Sequence, residues 1–187
     1  MMDKSIKPIV ISGPSGVGKS TIIATLLKNN PQLWLSVSHN TRVARPGEVE
    51  GFDYYFVSKK EFLDKIESDD FFELVKDYVT FKGTPKKELI NKIDEGKTPI
   101  LELEHIGAFA VKKEIPEAVL VYILPPSKEE HFKRLFGRHD PNMSDLEMDL
   151  RVKAIENEIS MSSKYDYVFV NNNVDEVVEE IEKLLYY

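Results

Sequence analysis

Hydrophobic positions along the chain follow two periods in turn, and their succession predicts the fold. Short apolar runs at residues 6–12, 99–104, 119–124 and 167–170 are too short for helices and read as strands covered on both faces, as parallel strands are. Between them apolar side chains recur at helical spacing. Residues 20–30 carry Ile22, Ile23, Leu26 and Leu27 and stop at Pro31, residues 86–95 close at Gly96, and residues 129–136 and 150–163 read as helices too. In residues 174–185, Val174, Val177, Val178, Ile181, Leu184 and Leu185 share one face with acids opposite, which predicts a helix packed on the core. Strand and helix alternating in this way predict an α/β protein built on a parallel sheet.

Residues from about 38 to 85 break that rhythm. A strand at 34–38 leads into a turn-rich loop holding Arg42, Arg45, Pro46, Gly47 and Gly51; an aromatic strand at 53–57, a helix at 59–68 and an extended stretch at 71–81 follow. The patch predicts an inserted α+β subdomain that binds substrate. A polar stretch at 137–149, broken by His139-Asp140-Pro141-Asn142, predicts a mobile lid. One domain of 187 residues accommodates both, with its core in 1–37 and 86–187.

Composition narrows the partners. A net charge of -7 argues against nucleic-acid polymers and anionic membranes, which need a basic field to capture them, so any useful positive charge must be local. The absence of cysteine removes disulfides, thiol catalysis and thiolate metal sites. The N-terminus has no apolar leader, and no run approaches the roughly 18 to 20 residues of a membrane span. The expectation is a cytoplasmic protein.

The sharpest chemical signal lies between the first strand and the first helix. Gly13-Pro14-Ser15-Gly16-Val17-Gly18-Lys19-Ser20 fits G-x-x-x-x-G-K-[ST], a loop whose backbone N–H groups turn inward around phosphate at a helix N-terminus. Lys19 is placed for the β- and γ-phosphates of a nucleoside triphosphate, and the Ser20 hydroxyl for Mg²⁺. The core is therefore expected to be of the P-loop NTPase type.

Other candidates gather around it. Arg42 and Arg45, supported by Tyr54, suit a second phosphate, since guanidinium groups bind phosphate through paired hydrogen bonds; taken alone, such a pair is an ordinary solvated surface feature. Arg134, Arg138 and Arg151 bracket the lid and suit the charge of a transferring phosphoryl group, although Glu129, Glu130 and Glu147 are near enough in sequence to pair with them instead. Glu102 and Glu104 end a strand on the side where open α/β sheets collect ligands, and are candidates for a Mg²⁺-bound water or for a base, with Glu73 a third. His39, His105, His131 and His139 show no metal-binding spacing.

Taken together these residues resemble the guanylate kinase family from end to end. The resemblance is carried by Gly13 to Ser20 with Thr21, by Ser36-Val37-Ser38 with Thr41-Arg42 and Arg45-Pro46-Gly47-Glu48, and by Gly51-Phe52-Asp53-Tyr54. Phe72-Glu73, Gly83-Thr84-Pro85, Pro125-Pro126-Ser127, Arg134-Leu135 with Arg138, and Val170-Asn171 continue it. It implies phosphoryl transfer from ATP to GMP or dGMP with Mg²⁺. By the same resemblance Arg42, Arg45 and Tyr54 hold the acceptor phosphate, while Ser38, Glu73 and Glu102 hold guanine with Glu104 nearby. Glu48, Lys82 and Thr84 belong to the same substrate-binding set, Arg134, Arg138 and Arg151 face the ATP phosphates, and Asn171 lies near the adenine. Lys19, Arg42, Arg138 and Arg151 are the implied catalytic set.

Three departures are visible. Phe81-Lys82 stands where the family has two tyrosines, glutamates at 102 and 104 where it has aspartates, and the lid is about two residues longer. The resemblance leaves open a monomer or a homodimer, a preference for another nucleoside monophosphate, and a non-catalytic interaction module, against which the intact Lys19 and Ser20 speak.

Overall fold

The computed structural model describes residues 6–76, 80–127, 129–131, 153, 157 and 159–185. Its centre is a five-stranded sheet in the order β2-β7-β1-β8-β9, formed by β1 (Ile9–Ser12), β2 (Leu33–Ser36), β7 (Thr98–Glu102), β8 (Val119–Leu124) and β9 (Tyr167–Val170). Every pairing in it is parallel. The strands read as unbroken apolar runs because alternate side chains enter different cores. Ile9, Ile11, Ile100, Val121 and Ile123 face α1 (Lys19–Asn29) and α5 (Val174–Leu184), meeting Ile22, Leu26, Val178 and Ile181. Val10, Leu101, Leu120 and Tyr122 face α3 (Lys86–Asp94) and α4 (His105–Glu114), meeting Leu89, Ile93, Ala108 and Val111.

A second, mixed sheet has the order β4-β3-β6-β5 and is made of β3 (His39–Asn40), β4 (Tyr55–Phe56), β5 (Phe71–Lys76) and β6 (Phe81–Pro85). Helix α2 (Lys59–Glu67) begins at a reciprocal cap between Ser58 and Glu61, and its buried Phe62 stacks on Phe71 and Phe81. This is the subdomain predicted over residues 38–85. The parallel core with its inserted α+β unit agrees with the α/β expectation.

Two readings need correction. The stretch 71–81 is not one extended segment but carries β5 and the start of β6, which pair antiparallel on either side of residues 77–79. Residues 105–114, assigned no element by the hydrophobic pattern, form α4. Small residues at Gly107 and Ala108 make much of its buried face, so its apolar stripe is faint. As a result β7 ends at Glu102, and Glu104 is the N-cap residue of α4 rather than part of the strand. The predicted lid at 137–149, with Arg134, Arg138 and Arg151, lies outside the described residues. A 3₁₀ turn at Met161–Lys164 precedes β9. Among the described residues no helix is long and apolar enough to cross a membrane.

Candidate active site

The phosphate loop leaves β1 at Ser12 and enters α1 at Lys19. Gly13 has φ of 150°, and a Cβ there would sit 2.4 Å from the Ile123 carbonyl oxygen, so no larger residue allows the strand to turn so tightly. Gly18 caps α1 with φ of 101°. The first turn of that helix has no acidic side chain, so its positive end is left for an external anion. Lys19 folds back over the loop, its Nζ donating to the carbonyls of Gly13 at 2.7 Å and Pro14 at 3.2 Å and lying 3.9 Å from Glu102 Oε1. The Ser20 hydroxyl donates to Glu102 Oε2 at 3.3 Å, while Thr21 is exposed on the same turn of helix.

The loop forms one side of a cavity of about 500 Å³ through Gly13, Ser15, Lys19 and Ser20. The other side comes from the subdomain through Ser38, Glu48, Tyr54 and Lys82, and Glu102 and Glu104 complete it. Of the residues read as a second phosphate site, Tyr54 lines this space, with Glu48 and Lys82 beside it, whereas Arg42 and Arg45 are not among the lining residues.

On the subdomain side Arg42 makes two parallel bonds to Glu48, Nη1 to Oε2 at 2.6 Å and Nη2 to Oε1 at 2.5 Å. The Arg45 backbone N–H donates to the same carboxylate at 2.7 Å, so Glu48 fixes both the guanidinium and the turn; the Arg45 side chain is exposed. The Arg42 guanidinium, then the Arg45 amide, hold the Glu48 carboxyl down at about 2. Tyr54 ties the cations together: Arg42 Cζ lies 5.1 Å and Lys82 Nζ 5.3 Å from its ring centroid.

Deeper in the subdomain, Thr84 Oγ1 donates to Glu73 Oε1 at 2.9 Å and lies 3.3 Å from Ser38 Oγ. Glu73 reaches this position through an irregularity in β5, where Phe71 pairs with Pro85 but Leu74 pairs with Gly83. Its other oxygen, Oε2, is buried with no hydrogen-bond partner among the described residues. Burial pushes the Glu73 carboxyl up to about 7, opposed by the Thr84 hydrogen bond and the charge of Lys82. An acceptor oxygen left unmatched beside two hydroxyls suits a ligand that brings several N–H donors.

Two residues have roles that no local pattern announced. Asn171, 3% exposed, donates through Nδ2 to the Val17 carbonyl at 2.8 Å, which makes it a strut behind the phosphate loop. His131, 1% exposed, places Nε2 2.8 Å from the Ser15 carbonyl. Both contacts span more than a hundred residues, so spacing carries no trace of them.

Ser20 and Glu102 are hard oxygen donors of the kind Mg²⁺ accepts, and among the described residues no cluster of three His, Asp or Glu side chains competes for a metal. That suits an ion held mainly by phosphate oxygens and water, with the protein adding one or two ligands.

Comparison with known proteins assigns the chain's family. A family model described as Guanylate kinase matches residues 5–186. The guanylate kinase of Clostridium tetani is 45% identical over 177 residues, which are 95% of this chain and 84% of that protein. That of Clostridium acetobutylicum is 45% identical over 184 residues, 98% and 87% of the two chains. A crystal structure of guanylate kinase from Anaplasma phagocytophilum matches with a TM-score of 0.77 at 33% identity, covering 100% of this chain and 87% of that one. Since sequence and shape agree over nearly its whole length, the chain belongs to the guanylate kinase family.

Proposed function

We propose that this guanylate kinase passes the γ-phosphoryl group of ATP to the phosphate of GMP or dGMP, giving ADP and GDP or dGDP, with Mg²⁺ bound to Ser20. The observation that carries the reading is the shared cavity, with the phosphate loop on one side and the Glu48, Tyr54 and Lys82 surface on the other. Lys19 and the loop N–H groups are assigned to the ATP phosphates; Arg42, Arg45, Tyr54 and Lys82 to the acceptor phosphate; Ser38, Thr84 and Glu73 to guanine. Bound Mg²⁺ would neutralise charge on the ATP phosphates.

No general base is required, because a phosphate monoester with second pKa of about 6 is already mostly dianionic at neutral pH. What the chain supplies is alignment of two anions and cancellation of their repulsion, the larger part of catalysis in phosphoryl transfer. Glu73 gives the base its selectivity: guanine offers ring and amino N–H donors where adenine offers a lone acceptor at the ring nitrogen. Glu102 stays with the phosphate loop through Ser20 and Lys19, so its role is assigned to the metal side rather than to the base. Cytoplasmic residence and a monomeric or homodimeric state belong to the same proposal.

A coupled assay with ATP, Mg²⁺ and a panel of nucleoside monophosphates tests it. Turnover with GMP and dGMP and little with AMP, CMP or UMP is expected. Preference for AMP or UMP would overturn the base assignment, and no turnover with any of them would favour a binding module.

A further inference from the structure

For the phosphate loop to point N–H groups at an anion, the intervening carbonyls must face away, and each carbonyl turned into the protein needs a donor. The Gly13 and Pro14 carbonyls receive Lys19. Of the others, those of Ser15 and Val17 are more exposed to failure, because each precedes a glycine. Peptide planes that precede glycine flip easily, because the residue after the bond has no Cβ to oppose the new φ. The loop has two such peptides at its turn, Ser15–Gly16 and Val17–Gly18, with glycine φ values of 77° and 101°. Each is pinned by one side chain from the far end of the chain: Asn171 holds the Val17 carbonyl and His131 the Ser15 carbonyl.

We infer that His131 is a positioning residue for the nucleoside triphosphate, holding the Ser15–Gly16 peptide so that the Gly16 N–H faces the phosphates and the Ser15 carbonyl does not. A carbonyl accepts only, so Nε2 carries the proton in this contact. The segment that carries the ring is tied locally, where the backbone N–H of His131 donates to the Ser127 carbonyl and the backbone N–H of Glu130 to Ser127 Oγ, each at 3.1 Å. Without the donor, a flip would place a partial negative charge where phosphate binds and withdraw one N–H from it.

The inference rests on a nucleotide phosphate being the ligand of this loop, so ADP binding to the unaltered protein is measured first by calorimetry; a complete lack of binding would reject that reading, not this one. His131→Leu fills similar space without a donor. It is expected to weaken ADP binding and raise the KM for ATP about tenfold, while GMP affinity stays within about twofold. His131→Gln, whose amide restores a donor at similar reach, is expected to recover most of the loss. Unchanged ADP affinity in folded His131→Leu would overturn the inference. So would equal losses for ADP and GMP that track a fall in Tm and that Gln does not rescue. If His131→Leu does not fold, His131→Gln and His131→Asn decide: the shorter Asn must lose ADP affinity where Gln keeps it, and equal affinities would refute the role.

Discussion

Arg42 and Glu48 are joined by two parallel hydrogen bonds, and the Arg45 amide donates to the same carboxylate. The guanidinium is therefore fixed over Tyr54 before any ligand arrives, which spares the ordering entropy of a long side chain on binding. Glu48→Ala is expected to raise the KM for GMP about tenfold with little change in the KM for ATP, checked by steady-state kinetics with each substrate varied. Because Arg42 holds the Glu48 carboxyl down at about 2, the pair is lost only as pH falls toward that value. It contributes no pH dependence near neutrality.

Glu73 does. Burial raises its carboxyl from 4.5 to about 7, so the folded chain favours the protonated form. The associated stability is complete below the unfolded value and is lost as pH rises through the folded one. His39, lowered by burial to about 4, contributes with the opposite sign, so the effect is read as the Tm of the ligand-free protein minus that of Glu73→Gln, a difference expected to fall as pH rises from about 4.5 to about 7. Donors on guanine favour the carboxylate, so GMP binding near pH 7 should release protons, seen as calorimetric heats that vary with the buffer. A signal in Glu73→Gln as large as in the unaltered chain would contradict the assignment.

Lys82 supplies a full positive charge to the cavity wall beside Tyr54. It shares the Tyr54 ring with Arg42 and lines the cavity. Charge attraction at a partly open site is screened by salt, unlike a neutral hydrogen bond. Lys82→Met is expected to raise the KM for GMP several-fold and to weaken its dependence on ionic strength. Identical salt dependence in the two proteins would remove Lys82 from the phosphate.

Lys19 is held on the loop carbonyls of Gly13 and Pro14 with Glu102 nearby. Lys19→Met removes the charge assigned to the transferring group and is expected to lower turnover by about a hundredfold or more, with circular dichroism unchanged. Near-normal turnover in the folded variant would reject its role.

How far the sequence discloses this site follows from the range of each interaction. The phosphate loop is contiguous, with strand, glycines, lysine and helix in one short stretch, so its chemistry is readable without a structure. The parallel strands are equally plain, because burial on both faces leaves an unbroken apolar run such as Val119–Leu124. Helix α4 was hidden by its small buried residues, and with it the place of Glu104. The clasp of Glu73 by Thr84 depends on a strand irregularity, and the struts from His131 and Asn171 on contacts across the whole chain. Such relationships exist only after folding. Arg134, Arg138 and Arg151 lie outside the described residues.

A dinucleotide joining adenosine to guanosine through a chain of phosphates tests most directly whether one cavity serves both substrates. Measured against each substrate in turn, inhibition is predicted to be competitive with both ATP and GMP. Competition with only one of them would mean that the phosphate loop and the Glu48, Tyr54 and Lys82 surface do not serve the two substrates across the same space.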